Sequence, residues 1–104
     1  MSDKPAPPAP QPLQVQIEID PATANGVFVN FAMVNHTDSE FTLDLLYLHP
    51  EAPKATVRAR AILTPRHMKR LLLAMQENLG RYEALFGVVD ATPSPHFPRP
   101  PGVN

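Results

Sequence analysis

Histidine, serine and cysteine are the residues that a catalytic or metal site would draw on first. The 104-residue chain has no cysteine, and its serines lie outside any Gly-x-Ser-x-Gly element. Its histidines, His36, His49, His67 and His96, stand singly, without the His-x-x-x-His spacing of a metal pair. Four glycines supply no phosphate-binding loop. We therefore expect no catalytic residue, no metal and no cofactor, and a protein that is not an enzyme.

Charge is segregated along the chain, although the net charge is only −1. Residues 13–51 contain six acidic residues and no Lys or Arg, whereas residues 54–70 contain six Lys or Arg residues and no Asp or Glu. Such separation is typical of a surface that meets a charged partner.

The basic stretch supplies the candidate residues for binding an anion or a charged partner. Those near the start of the predicted helix lie where the helix dipole is already positive, so an anion there would be stabilised. Such an anion would come from an acidic protein segment, from nucleic acid or from a carboxylate of the oligomer. The alternative is that these residues form a solvated basic face without a ligand. No aromatic residue is interleaved with them, which makes nucleic acid the weaker option. The candidates are Lys54, Arg58, Arg60, Arg66, His67, Lys69 and Arg70.

One long amphipathic helix is predicted over residues 65–86. Thr64 is a suitable N-cap, Pro65 suits the first helical position, and Gly87 suits the residue after the last turn. Apolar residues recur at steps of three and four, which places them on one stripe. The stripe comprises Met68, Leu71, Leu72, Met75, Leu79, Tyr82 and Phe86.

Alternating apolar residues predict strands over about 13–19, 27–35, 40–48 and 55–63. Short connections favour antiparallel neighbours. We therefore expect an α+β fold, with an antiparallel sheet of three to four strands and the helix packed across one face. The small residues Ala59 and Ala61 would lie beneath the helix, and Asp44 would lie opposite Arg58 or Arg60 as a cross-strand pair.

The face of the sheet that points away from the helix is predicted to mediate self-association. It would carry more large apolar side chains than a solvated face requires. The candidate oligomer face consists of Phe28, Val34, Leu46, Leu48 and Ile62.

The two ends of the chain are proline-rich, with five prolines each in residues 1–12 and 91–104. Proline removes backbone donors, so we expect disordered tails around a single domain of residues 13–90. No apolar run is long enough to span a membrane, and the first residues lack the apolar core of a signal peptide. We expect a cytoplasmic protein with no membrane partner.

Residues 15–88 resemble a family of small bacterial proteins of about 100 residues, classed as a domain of unknown function. Short patterns in the strands carry part of the resemblance: Ile17-x-Ile19-Asp20-Pro21, Gly26-Val27-Phe28, Phe41-x-Leu43-Asp44 and Pro53-Lys54-Ala55. The more specific part is Arg60-x-Ile62-Leu63-Thr64-Pro65-x-His67-x-Lys69-Arg70-Leu71-Leu72, then Asn78, and Tyr82-Glu83-x-x-Phe86-Gly87. It implies domain limits and no assigned activity. A sheet of four strands with a long helix is also loosely similar to the export chaperone SecB, an analogy of fold alone.

These observations favour a non-catalytic interaction or adaptor module that forms a homodimer or tetramer. Two alternatives stay open: a nucleic-acid-binding protein that uses the basic stretch, and a SecB-like holdase that offers its apolar sheet to unfolded chains.

Overall fold

The computed structural model describes residues 13–92. The elements follow in the order α1 (Pro21–Ala24), β1 (Phe31–His36), β2 (Phe41–Leu48), β3 (Ala55–Leu63) and α2 (Pro65–Phe86). The three strands form one antiparallel sheet in the order β1-β2-β3. The predicted α+β class is confirmed. The predictions for the tails lie almost entirely outside the described residues.

Helix α2 has the predicted limits because its end signals are local. Thr64 has extended backbone, and its hydroxyl accepts a hydrogen bond from the His67 N–H at 3.3 Å. Pro65 occupies the first turn, where its missing N–H has no cost. Gly87 ends the helix at a φ of +97°, a conformation that residues with a Cβ rarely adopt.

Strand β1 begins at Phe31, so the predicted strand over 27–35 is wrong for its first four residues. The side chain of Asn30 takes the place of a backbone partner for β2. Its Oδ1 accepts from the Leu48 N–H at 2.7 Å, and its Nδ2 donates to the Leu48 carbonyl at 3.2 Å. The backbone before Asn30 therefore makes no strand ladder with β2.

The strand predicted over 13–19 is also wrong for the single chain. Residues 13–20 carry no strand assignment, and all of them are exposed. Alternation of apolar and polar residues gives a segment two faces, but a strand forms only where a neighbouring edge accepts its backbone hydrogen bonds. Within residues 13–92 no strand pairs with this segment.

The register fixes which side chains share a face of the sheet. Directly paired residues project to the same side. Pairing of Asp44 with Met33 and Arg60, and of Leu43 with Val34 and Ala61, defines an Asp44 face and a Leu43 face. The prediction that Val34 shares a face with Leu46 is wrong, because the tight turn after His36 pairs His36 with Phe41 and reverses the parity.

Very little of the chain is buried. Among the described residues the fully buried side chains are Leu46, 4% exposed, and Asp44, 1% exposed. No residue of α2 is buried, and Ala59 and Ala61 are exposed. The helix therefore does not cover the sheet in a single chain, and the predicted packing of the helix across one face is wrong.

Candidate interaction surface

Asp44 and Arg60 form a bidentate ion pair in the middle of the Asp44 face. Arg60 Nε donates to Asp44 Oδ1 at 2.7 Å and Nη2 donates to Oδ2 at 3.0 Å. The hydrogen bonds from Arg60 hold the pKa of Asp44 below its ordinary value, and the carboxylate raises the pKa of Arg60 in return. The predicted cross-strand pair is confirmed for Arg60, whose side chain stays 61% exposed, so its remaining N–H groups face solvent.

Arg58 lies at an irregularity in the sheet and faces an aromatic residue instead. The register shifts between Leu45 and Leu46, so Leu45 pairs with Ala59, Leu46 pairs with Val57, and Arg58 has no partner on β2. Its guanidinium carbon lies 5.4 Å from the ring centre of Tyr47, within the range of a cation–π contact.

Tyr47, which the sequence analysis did not single out, contacts two further aromatic side chains. Its ring meets His49 at 5.0 Å and Phe28 at 6.2 Å, both nearly edge-on. His49 Nε2 also lies 3.0 Å from the Thr56 hydroxyl. The alternation of β2 places Tyr47 on a face, but only the shifted register brings Arg58 over it.

The other basic candidates lie away from Arg58 and Arg60. Lys54 lies in the β2–β3 turn, where its N–H donates to the Ala52 carbonyl at 2.7 Å. The first two turns of α2 carry the remaining four, all exposed and none in an ion pair within residues 13–92: Arg66, His67, Lys69 and Arg70. The basic stretch therefore divides into engaged residues on β3 and unengaged residues on α2.

The five residues predicted as an oligomer face do not form one surface. Phe28 and Ile62 are exposed, Leu48 is half-buried, and Leu46 is the buried apolar residue already described. Val34 lies on the opposite face. Val34 therefore does not belong to the predicted face, and a role of the other four residues in self-association stays a prediction.

The apolar side of α2 carries a row of exposed apolar side chains. Of the seven residues of the predicted stripe, Met68 and Leu71 are half-buried and the other five are exposed. We call these five the helix stripe: Leu72, Met75, Leu79, Tyr82 and Phe86. Their exposed fractions run from 46% for Leu72 to 72% for Phe86, and the rings of Tyr82 and Phe86 stack at 4.9 Å. Nothing in the described chain covers this stripe.

Residues 13–19, which we call the N-terminal segment, form a second exposed apolar row. Their alternate side chains Leu13, Val15, Ile17 and Ile19 are all exposed. In residues 13–92 as a whole, seventeen large apolar side chains are exposed, against the single fully buried Leu46. This ratio is the reverse of what a self-sufficient domain requires.

A shallow groove of about 370 Å³ lies where the turn around α1 meets β3. Ala22, Thr23, Gly26, Val27, Arg58 and Ala59 line it. The groove contains one cation and no acid–base pair. The groove shows that the residues that follow the N-terminal segment lie next to β3.

The described residues were also compared with the requirements of a metal site and of a membrane-spanning helix. Across residues 13–92 no three His, Asp or Glu side chains gather in a way that would hold a metal ion. In the same residues no helix combines the length and apolar character needed to cross a bilayer.

The fold and its surfaces define a class: a small α+β chain whose exposed apolar surface far exceeds its buried core. Comparison with protein families makes the assignment more specific. Residues 1–91 match the family described as protein of unknown function (DUF3467), and the chain belongs to that family. The match reaches further toward the first residue than residues 15–88, on which the resemblance rests. The comparison with curated proteins found no match, and neither did the comparison with solved structures.

Proposed function

We propose that this protein is a non-catalytic interaction module that works as a homo-oligomer, in which copies cover one another's helix stripes. The observation that carries this proposal is the exposure of the whole stripe beside a core of one apolar residue. Exposed apolar patches of this kind mark contact surfaces on small proteins.

Energetics support a partner for the stripe. Burying a large apolar side chain completely contributes about 1.5–3 kcal/mol, so completing the burial of a half-exposed one contributes about 1 kcal/mol. Five stripe residues from each of two copies would add several such increments. A domain of about 80 residues has a marginal core of its own, so a gain of this size would be a large part of its stability.

A SecB-like holdase is the alternative that the same exposed surface favours. A holdase keeps apolar surface accessible in solution for unfolded chains, whereas self-association covers it. Binding of an apolarity-sensing dye such as ANS at high protein concentration separates the two. We expect weak dye binding by the assembled protein, and strong binding would favour the holdase.

Nucleic-acid binding has less support. Arg60 is engaged by Asp44, Arg58 lies over Tyr47, and the α2 cations carry no interleaved aromatic residues for base stacking. We expect no retardation of DNA or RNA at about 150 mM salt. Tight binding that weakens steeply with salt, and is lost in Arg66→Glu/Arg70→Glu, would overturn the adaptor proposal.

Sedimentation equilibrium with a matched pair of variants tests the proposal. Leu79 is half-exposed at the centre of the stripe, and Ala84 is exposed on the opposite side of the same helix. We expect the full chain to sediment as a dimer or larger at about 100 μM, Leu79→Asp to shift toward the monomer, and Ala84→Asp to behave like the original chain. A monomeric original chain at that concentration would refute the proposal.

A further inference from the structure

The N-terminal segment has the sequence of a strand and no strand partner. Its apolar residues alternate with Gln14, Gln16 and Glu18, and Ile17 is 89% exposed. Exposure of such a row in water has no benefit for an isolated chain, and the backbone groups of residues 13–19 make no strand hydrogen bonds within the described residues. The segment therefore has the residue pattern of a strand but lacks a neighbouring strand.

The sheet offers two open edges, because β1 and β3 each pair on one side only. Of the two, β3 is the longer, with nine residues against six in β1. Seven of its nine residues are exposed, whereas four of the six in β1 are half-buried. A seven-residue segment with one apolar side fits the length and the uncovered surface of β3.

Charge also selects β3. Residues 13–20 contain Glu18 and Asp20 and no basic residue, while β3 contains Arg58 and Arg60 and no acidic residue. Opposite charges on neighbouring strands stabilise their pairing. Strand β1 carries no Lys, Arg, Asp or Glu, so it offers the segment no such complement.

The turn around α1 lies against β3 of its own chain. Asp20 caps α1 by accepting the Thr23 N–H at 3.0 Å, and Ala22, Thr23, Gly26 and Val27 of this turn line the groove with β3 residues Arg58 and Ala59. Because Asp20 directly follows the segment, the end of the segment lies near this turn, yet residues 13–20 carry no strand assignment. A second copy related by a two-fold axis near this position would present its own β3 edge to the segment, and the exchange would be reciprocal.

We propose that the N-terminal segment of each copy pairs as an added strand with the β3 edge of a second copy. This inference rests on the proposed homo-oligomeric function and adds a second contact between the copies, beside that of the helix stripes. The addition extends each three-stranded sheet by a strand from its partner and covers the apolar row of the segment.

Proline substitutions at neighbouring positions test the strand pairing. Successive backbone N–H groups of a strand point to opposite edges, so one of Val15 and Gln16 must donate to the partner strand. We expect Val15→Pro or Gln16→Pro to lower the association constant at least tenfold relative to Val15→Ala or Gln16→Ala, in sedimentation equilibrium of the full chain. Because the segment is unpaired in the single chain, its proline variants should keep the monomer fold. If the original chain is oligomeric and both proline variants remain so, the inference fails while the proposed function stands.

Amide hydrogen exchange separates pairing with a second copy from pairing within one chain. We expect slow exchange in the segment at high protein concentration and fast exchange after dilution. Slow exchange that does not depend on concentration would show pairing within one chain and would overturn the inference.

The absence of cysteine allows the edge itself to be tested. Two differently tagged copies are mixed, one with Gln16→Cys and the other with either Ala61→Cys on β3 or Asn35→Cys on β1, both exposed positions. A short bis-maleimide should join the tags in the β3 mixture and not in the β1 mixture. Preferential joining to Asn35→Cys would overturn the assignment to β3.

Discussion

Asp44 shows how one residue ties the sheet to solution pH. Arg60 stabilises the charged form of its carboxylate by two hydrogen bonds, which lowers the pKa of Asp44 in the folded state. A lowered folded pKa means that the contribution to stability is fully present above the pKa of the unfolded chain. It is lost as pH falls through the folded value.

We therefore predict that the original chain loses stability as the pH falls below about 4, the ordinary pKa of an aspartate, toward the lower folded value. Asp44→Asn should be less stable at neutral pH and should show a smaller loss over that interval. Urea unfolding at a series of pH values measures both quantities, and Asp38→Asn, at an exposed site in the β1–β2 turn, is the control. Equal acid sensitivity in Asp44→Asn and the original chain would contradict the role given to the pair.

Asn30 gives a second prediction at this scale. Asn30→Ala should lower the free energy of unfolding by about 1–3 kcal/mol, because two hydrogen bonds to Leu48 at roughly 0.5–1.5 kcal/mol each are lost. Urea unfolding at fixed protein concentration measures the change. Asn25→Ala, on the exposed α1 turn, is the control. A change at Asn30 no larger than that at Asn25 would refute the view that its amide replaces a strand residue.

The sequence predicts some of these contacts and not others. The pairing of Asp44 with an arginine on β3 follows from alternation and a short hairpin, so it was predictable, although the choice of Arg60 over Arg58 depends on the register shift at Leu45. The bonds of Asn30 to Leu48 and the contact of Arg58 with Tyr47 depend on tertiary geometry. No local pattern encodes either of them.

The elements differ in the same way. Helix α2 is specified by its own residues, from the Thr64 cap to the Gly87 terminus, and the predicted limits are confirmed. A strand is specified only together with its partner, so the alternation of residues 13–19 predicted a strand that the single chain does not form. The prediction that α2 packs across the sheet was wrong for the same reason. An amphipathic stripe predicts that an apolar surface covers it, but the stripe does not identify that surface.

Gly80 allows a prediction about the surroundings of α2. An added Cβ at Gly80 meets nothing within 4 Å in the single chain. Gly80→Ala should therefore stabilise the protein by about 1 kcal/mol through helix propensity. Thermal or urea unfolding measures the gain. A loss of stability together with weaker self-association would mean that a partner's backbone lies against Gly80 in the oligomer.

The whole molecule combines an acidic first half, a basic stretch and proline-rich ends. The proline-rich ends bury little surface in our interpretation, so a truncated chain of residues 13–90 should keep its melting temperature within a few degrees. Differential scanning calorimetry of both chains at equal concentration tests this. A large drop in melting temperature would show that one of the ends docks on the domain.

The central claim is that this chain completes its core by associating with itself. A protein whose folding includes association becomes more stable as its concentration rises, because mass action favours the assembled state. The decisive measurement is the urea midpoint of unfolding for the full chain at about 1 μM and about 100 μM. We expect a clearly higher midpoint at the higher concentration. Identical midpoints at the two concentrations, with a monomeric mass at both, would contradict the claim.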